Sequence, residues 1–153
     1  MAFDIREDDL TGDDVRALLA FHLAEARAKT PAGFSFALDL SGLQTPDMTV
    51  WTAWASGELA GIAALKDLGD GSGEVKSMRT DPRHLRKGVA SALLGHIVTE
   101  ARRRGMSRLL LETGMGPAYE PAKALYRRHG FVDGPPFAAY QPSAHNHFMQ
   151  LPL

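Results

Sequence analysis

The chain has 153 residues, with 17 Lys and Arg against 18 Asp and Glu, a net charge of −1, and 44% hydrophobic and 23% charged residues. That length is one domain, residues 1–153, able to bury about two thirds of its unfolded surface in a single core. The near-neutral balance argues against wholesale binding of nucleic acid. The absence of cysteine excludes disulfides, a thiol nucleophile and thiolate metal sites.

Asp4 and Glu7 stand where a signal peptide needs a basic and then an apolar run. No stretch approaches the ~18 apolar residues of a membrane span. The expectation is a cytoplasmic protein with neither nucleic acid nor membrane as partner.

Phe3 to Arg6 alternates as a short strand does. Thr11-Gly12-Asp13-Asp14 then supplies a helix cap with acids in the first turn, and Val15, Leu18, Leu19, His22, Leu23 and Ala26 recur at helical spacing, predicting a helix over about Asp13 to Ala28. His22 lies on that apolar stripe, as a hydrogen-bonded histidine or as the lining of an acceptor pocket. From Phe34 to Thr49 the pattern is irregular, with a short helix expected at Ala37 to Leu40. Val50 to Ala55 and Leu59 to Leu65, joined by Ser56-Gly57-Glu58, read as a hairpin whose Trp51 and Trp54 belong to core and sheet surface. Glu74 to Arg79 is the next strand, ended by Asp81-Pro82.

From Gly88 a helix carries Val89, Leu93, Leu94, Ile97, Val98 and Ala101 on one face, and Arg102-Arg103-Arg104 complements its C-terminal dipole. Leu109-Leu110-Leu111 reads as a strand buried on both faces, closing with Glu112-Thr113-Gly114. A strand, helix and strand in this order imply a parallel pair. Pro121 opens the last helix and Gly130 caps it; a loop through Pro135 to Tyr140 leads to a final strand over about Asn146 to Leu151. His145-Asn146-His147 has no third ligand nearby in sequence, so no metal site is expected.

The chemistry concentrates at Met78 to Ser91, a strand end, a basic turn and a helix start. A helix start leaves several main-chain N–H groups unpaired at the positive end of the macrodipole. Gly88 and Ala90 let phosphate oxygens approach the main chain, and Arg83, His84, Arg86 and Lys87 add positive charge around the mouth.

Lys87-Gly88-Val89-Ala90, followed by Ser91-Ala92-Leu93-Leu94, resembles the acetyl-CoA signature of the GCN5-related N-acetyltransferase (GNAT) family. Ala122-Lys123-Ala124-Leu125-Tyr126, ending in Gly130-Phe131, is similar to that family's later Ala-x-x-Leu-Tyr-x-x-x-Gly-Phe signature. Leu85 stands where the family has Arg or Gln, and Tyr119 where many members have Asn. The resemblance covers Val50 onward and looks like a bacterial subgroup of unassigned substrate.

It implies an α/β fold (α+β in some schemes) with a twisted, mixed but mostly antiparallel sheet of about six or seven strands and about four helices, splayed between the fourth and fifth strands. It implies acetyl-CoA as cosubstrate. The pantetheine arm would lie against Met78, Arg79 and Thr80, with the Met78 N–H as oxyanion donor. The diphosphate would sit against Arg86, Lys87, Gly88, Val89, Ala90 and Ser91, and Tyr119, Lys123 and Tyr126 would complete the cofactor contacts. A homodimer is a form that resembling proteins often adopt.

Acetyl transfer needs a neutral amine, a stabilised oxyanion and a proton for the leaving thiolate. Tyr126 is the candidate acid, since a phenol with an ordinary pKa near ~10 suits an alkyl thiolate. Glu74 and Glu112, on the two splayed strands, are the candidate bases. His22, Glu74, Glu112 and Tyr140 are the candidate acceptor residues. The leading reading is an acetyl-CoA-dependent N-acetyltransferase acting on a primary amine of a small molecule or peptide; the alternative is a non-catalytic acyl-CoA-binding regulatory module.

Overall fold

The computed structural model describes residues 2–153. Its strands are β1 (Asp4–Glu7), β2 (Met48–Ala55), β3 (Glu58–Asp67), β4 (Ser72–Thr80), β5 (Arg108–Gly114), β6 (Val132–Asp133) and β7 (Asn146–Pro152), and its α-helices are α1 (Asp13–Ala28), α2 (Leu40–Leu43), α3 (Val89–Arg103) and α4 (Glu120–Arg128). The strands make one sheet in the order β1-β2-β3-β4-β5-β7-β6. Every neighbouring pair is antiparallel except β4 with β5.

Both faces of the sheet are covered, which explains the near-continuous apolar run of β3. Ile62 and Ala64 point to a core built with Val15, Leu18 and Leu19 of α1, whereas Ala63 and Leu65 point to a core built with Leu93, Leu94 and Ile97 of α3. Trp51 joins the α3 core, and the half-buried Trp54 packs on the α1 side, its indole N–H donating to Thr52 Oγ1 at 2.9 Å. At Gly61 of β3 a Cβ would stand 2.6 Å from Val89 Cγ1, so the missing side chain lets the first turn of α3 sit directly on the sheet.

The parallel pair is short. Ser72, Gly73 and Glu74 pair with Arg108, Leu109 and Leu110, and beyond them the strands part. β4 stays with β3, where Arg79 and Thr80 face Ile62 and Gly61, while β5 follows β7 as far as Gly114 opposite Asn146. A bulge accompanies the parting: between the pairs Ala64–Lys76 and Ile62–Arg79, β4 holds Ser77 and Met78 against the single Ala63, and Ser77 has φ +54°. The splay between the fourth and fifth strands is therefore present.

Local differences from the expected elements have local causes. The short helix starts at Leu40, because Asp39 accepts from the Gly42 N–H at 2.9 Å and from Ser41 Oγ at 2.7 Å and so acts as its cap. Gly12, not Thr11, occupies the cap position of α1, the Thr11 hydroxyl being held by Asp9 at 2.6 Å.

Candidate active site

The turn before α3 is shaped for an anion. Arg86 (φ +62°) and Gly88 (φ +84°) both adopt left-handed backbone. A Cβ at Gly88 would meet no atom within 4 Å, so glycine is needed there for its conformation and not for space. The first bond of the helix runs from Ala92 N–H to Gly88 C=O at 3.0 Å, leaving the N–H groups of Val89, Ala90 and Ser91 open at its positive end.

Arg86 and Lys87 are exposed and lack an ion-pair partner among the described residues, so their charge is free to face an anion. Two other members of the basic turn are diverted. Arg83 pairs with Asp81 at 3.1 Å and Glu58 at 3.5 Å, and His84 is buried beneath the turn, so neither adds charge at the mouth as the sequence suggested. Leu85 is exposed. The Ser91 hydroxyl is taken by His129 Nε2 at 2.9 Å, tying α3 to the end of α4 while the Ser91 N–H stays open.

Where β4 and β5 part lies a cleft of about 210 Å³. Its wall brings together His22 from α1, Glu74, Met78 and Arg79 from β4, Glu112 from β5, Tyr119 before α4 and Tyr126 within it. Thr80, Lys123 and Tyr140 lie off that wall, as do residues 86–91. Lys123 is buried and paired with Glu120 at 3.2 Å. Tyr140 stands behind Glu74, to which its hydroxyl donates at 2.5 Å, and accepts from Lys76 Nζ at 2.7 Å.

The two candidate carboxylates differ in their surroundings. Glu74 is buried, and its Oε2 accepts from both the Tyr140 hydroxyl and Lys76 Nζ, the latter at 3.2 Å. Glu112 accepts no hydrogen bond from the described residues, and burial, reinforced by the charge of Glu74 and opposed by Lys76, pushes its carboxyl up to about 7. Burial likewise pushes the Tyr126 phenol up to about 12, with Arg79 opposing, so it keeps its proton at neutral pH. His22 accepts from Arg79 Nε at Nδ1, 2.9 Å away; burial first, then the Arg79 charge, draws it down to about 4, so it is neutral at pH 7.

Tyr119 spans the cleft. Its hydroxyl meets Thr30 Oγ1 at 2.7 Å, and its ring lies where a Cβ at Gly114 would stand 2.3 Å from Cε2. Lys76, Ser77 and Thr30 also belong to the wall and were missed in sequence. Nothing in Lys76-Ser77-Met78 marks a bulge, and Thr30 looks like an ordinary helix-end residue. Phe34 and Phe36, exposed aromatics in the irregular stretch, form the apolar side of the cleft; two large apolar residues in a polar loop were the one available signal.

No helix among the described residues is long and apolar enough to cross a membrane. The acetyltransferase (GNAT) family model matches residues 16–131. N-acetyltransferase YedL of Escherichia coli strain K12, itself uncharacterised, is 46% identical over 151 residues, covering 99% of this chain and 95% of the relative. The uncharacterised N-acetyltransferase YsnE of Bacillus subtilis strain 168 is 47% identical over 145 residues, covering 95% and 96%. A crystal structure from Klebsiella pneumoniae, described as an acyl-CoA N-acyltransferase, superposes with a TM-score of 0.83 at 31% identity, covering 99% of this chain and 97% of that one. A family match across most of the chain, near-full-length relatives and the splayed sheet agree, and the chain belongs to the GNAT acetyltransferase family.

Proposed function

We propose that the protein moves an acetyl group from acetyl-CoA directly to a primary amine of a small molecule or peptide. The observation that carries this reading is the unpaired, half-buried Glu112 carboxyl, held near neutrality on one splayed strand of a cleft that also contains a protonated Tyr126. Family membership brings an acyl-CoA as cosubstrate, and the residues present fit one. The open amides of α3, the left-handed Arg86 and Gly88 and the free charges of Arg86 and Lys87 suit a diphosphate. The edge of β4 beyond Glu74, unpaired with β5, suits an extended arm added like a strand.

When bound, acetyl-CoA supplies the acetyl group as an activated thioester. Main chain around Gly88 to Ser91 with Arg86 and Lys87 would hold its diphosphate, and Met78, Arg79 and Thr80 its arm. Glu112 takes the proton that an ammonium must lose before its nitrogen can attack, directly or through water, and its pKa near neutrality matches that task. The Met78 N–H, at the bulge, is the donor for developing oxyanion charge. Tyr126 holds the proton that the leaving sulfur requires. Glu74 acts behind Glu112: its charge, fixed by Lys76 and Tyr140, helps keep the Glu112 pKa high.

A non-catalytic acyl-CoA-binding module would need the anion seat but has no use for Glu112 in this state. The test is a screen of primary amines for CoA release with acetyl-CoA as donor, together with calorimetry of CoA binding. Tyr126→Phe should cut kcat about a hundredfold while CoA still binds. An unaltered rate removes the acid role from Tyr126, and no heat with millimolar CoA removes the whole reading.

A further inference from the structure

We infer that the acceptor is a primary amine that carries its own carboxylate, a free amino acid, and that the guanidinium of Arg79 seats that carboxylate. The inference rests on the acetyl-transfer reading of the same cleft and adds the chemistry of its second substrate.

Arg79 is half-buried on the cleft wall, yet among the described residues no carboxylate lies within ion-pair distance of it. Glu112 apart, the wall's other acidic groups are committed elsewhere. Glu25 is held by Lys29 at 2.8 Å and acts on Arg79 only at longer range, and Glu74 is held by Lys76 and Tyr140. A desolvated cation without a counter-ion is costly unless something supplies the negative charge.

The side chain is also held in place. Its Nε donates to His22 Nδ1 at 2.9 Å, and its Cζ lies 5.6 Å from the centre of the Phe21 ring. His22, neutral at pH 7, supports the guanidinium without opposing an anion. With Nε tied down, the two terminal nitrogens have no acceptor among the described residues, and that free fork matches a carboxylate.

The amine end lies at Glu112. Glu112 is two residues beyond the Leu110–Glu74 pair, level with Lys76, so Arg79 is three residues further along β4, about 10 Å at the usual rise. The bulge and the length of an arginine side chain shorten that span, and the parting of the strands widens it, so the spacing of amine and carboxylate in the acceptor is what the gap selects. An amino acid whose amine and carboxylate are spaced to that gap would reach both ends, with Phe34 and Phe36 on the apolar side of the same cleft. A polyamine would bring a second cation against Arg79.

Matched acceptors test this on the intact protein with acetyl-CoA: free amino acids, α and ω, each beside its own carboxamide and its decarboxylated amine, with CoA release as the readout. The free acid should exceed its amide in kcat/KM by about ten- to a hundredfold, mainly through KM, and the better of α and ω fixes the spacing. Arg79→Met should bring that ratio to about one, and Arg79→Lys should restore part of it. A wild-type ratio of about one, a preference for polyamines, or an unchanged ratio in Arg79→Met overturns the inference. The wild-type ratio needs no variant, so poor folding of one leaves the test intact. Turnover of amines lacking a carboxylate as fast as, or faster than, the matched acids strikes only this inference, whereas no turnover of any amine and no CoA binding strike the acetyl-transfer reading with it.

Discussion

Replacing Glu112 by Gln should cost activity and add stability, and both effects follow from one carboxyl. Burial raises it from 4.5 to about 7. A raised carboxyl pKa means that the folded state binds the proton more tightly than the unfolded chain, so this group's contribution is full below pH ~4.5 and is lost as pH rises through ~7. At about 1.4 kcal/mol per pH unit the ceiling on that loss is about 3 kcal/mol, and partial access to water lowers it to about 2 kcal/mol. Glutamine stays neutral, so at pH 8 the variant should melt about 5 °C higher than the parent, with the difference vanishing near pH 4.5. Its kcat/KM should fall by about 10²- to 10⁴-fold and lose the inflection near pH ~7. Thermal melts from pH 4 to 9 and pH–rate profiles of both proteins decide it. A variant that melts lower at pH 8, or that keeps the inflection, refutes the assignment of Glu112 as base.

Three further outcomes follow from the geometry. Gly88→Ala forces a side chain into φ +84°, so it should lose about 1–2 kcal/mol of stability and bind CoA more weakly, as read by melts and calorimetry. Gly114→Ala places a Cβ against the Tyr119 ring, so it should cost about 1–3 kcal/mol and break the Tyr119–Thr30 bond; Tyr119→Phe, which removes the hydroxyl alone, should cost less, and equal costs would show that the ring does not resist displacement. His22 is drawn below its ordinary 6.5 to about 4, so it contributes stability above pH ~6.5 that is lost as pH falls toward ~4. The slope of Tm against pH in that window should flatten in His22→Gln, and an identical slope would count against a buried, neutral His22.

What was legible in sequence was local. The apolar stripe of α3 and the glycine at its start depend on neighbours within a turn or two, and they sit where the spacing put them. The splay came only through resemblance, since no residue between Glu74 and Thr80 announces that β5 will leave. The choice between Glu74 and Glu112 was not legible: Lys76 sits beside Glu74 in the chain, but Tyr140 arrives from a loop 66 residues downstream and completes the enclosure of Glu74. His84 read as a cation at the mouth because burial is decided by packing that the turn's own residues do not encode.

The pairing of charges in the cleft follows from the parting of β4 and β5 after Glu74 and from the bulge in β4. Glu25 with Lys29 and Glu74 with Lys76 are close in sequence, one turn apart at the end of α1 and two residues apart on β4, so each pair forms wherever its element goes. Glu112 and Arg79 lie on different strands, and by the register of the paired segment Arg79 is three residues beyond the position level with Glu112. The pairing of those strands stops at Glu74 and the bulge at Ser77 and Met78 carries Arg79 toward β3 and α1, so neither group contributes to the other's electrostatics. Had the strands stayed paired, β5 would cover the edge of β4 beyond Glu74 and close the space between them. The same separation that makes room for an extended acyl carrier thus leaves one unpaired acid and one unpaired guanidinium at the two ends of the acceptor space, the charge pattern that a zwitterion complements.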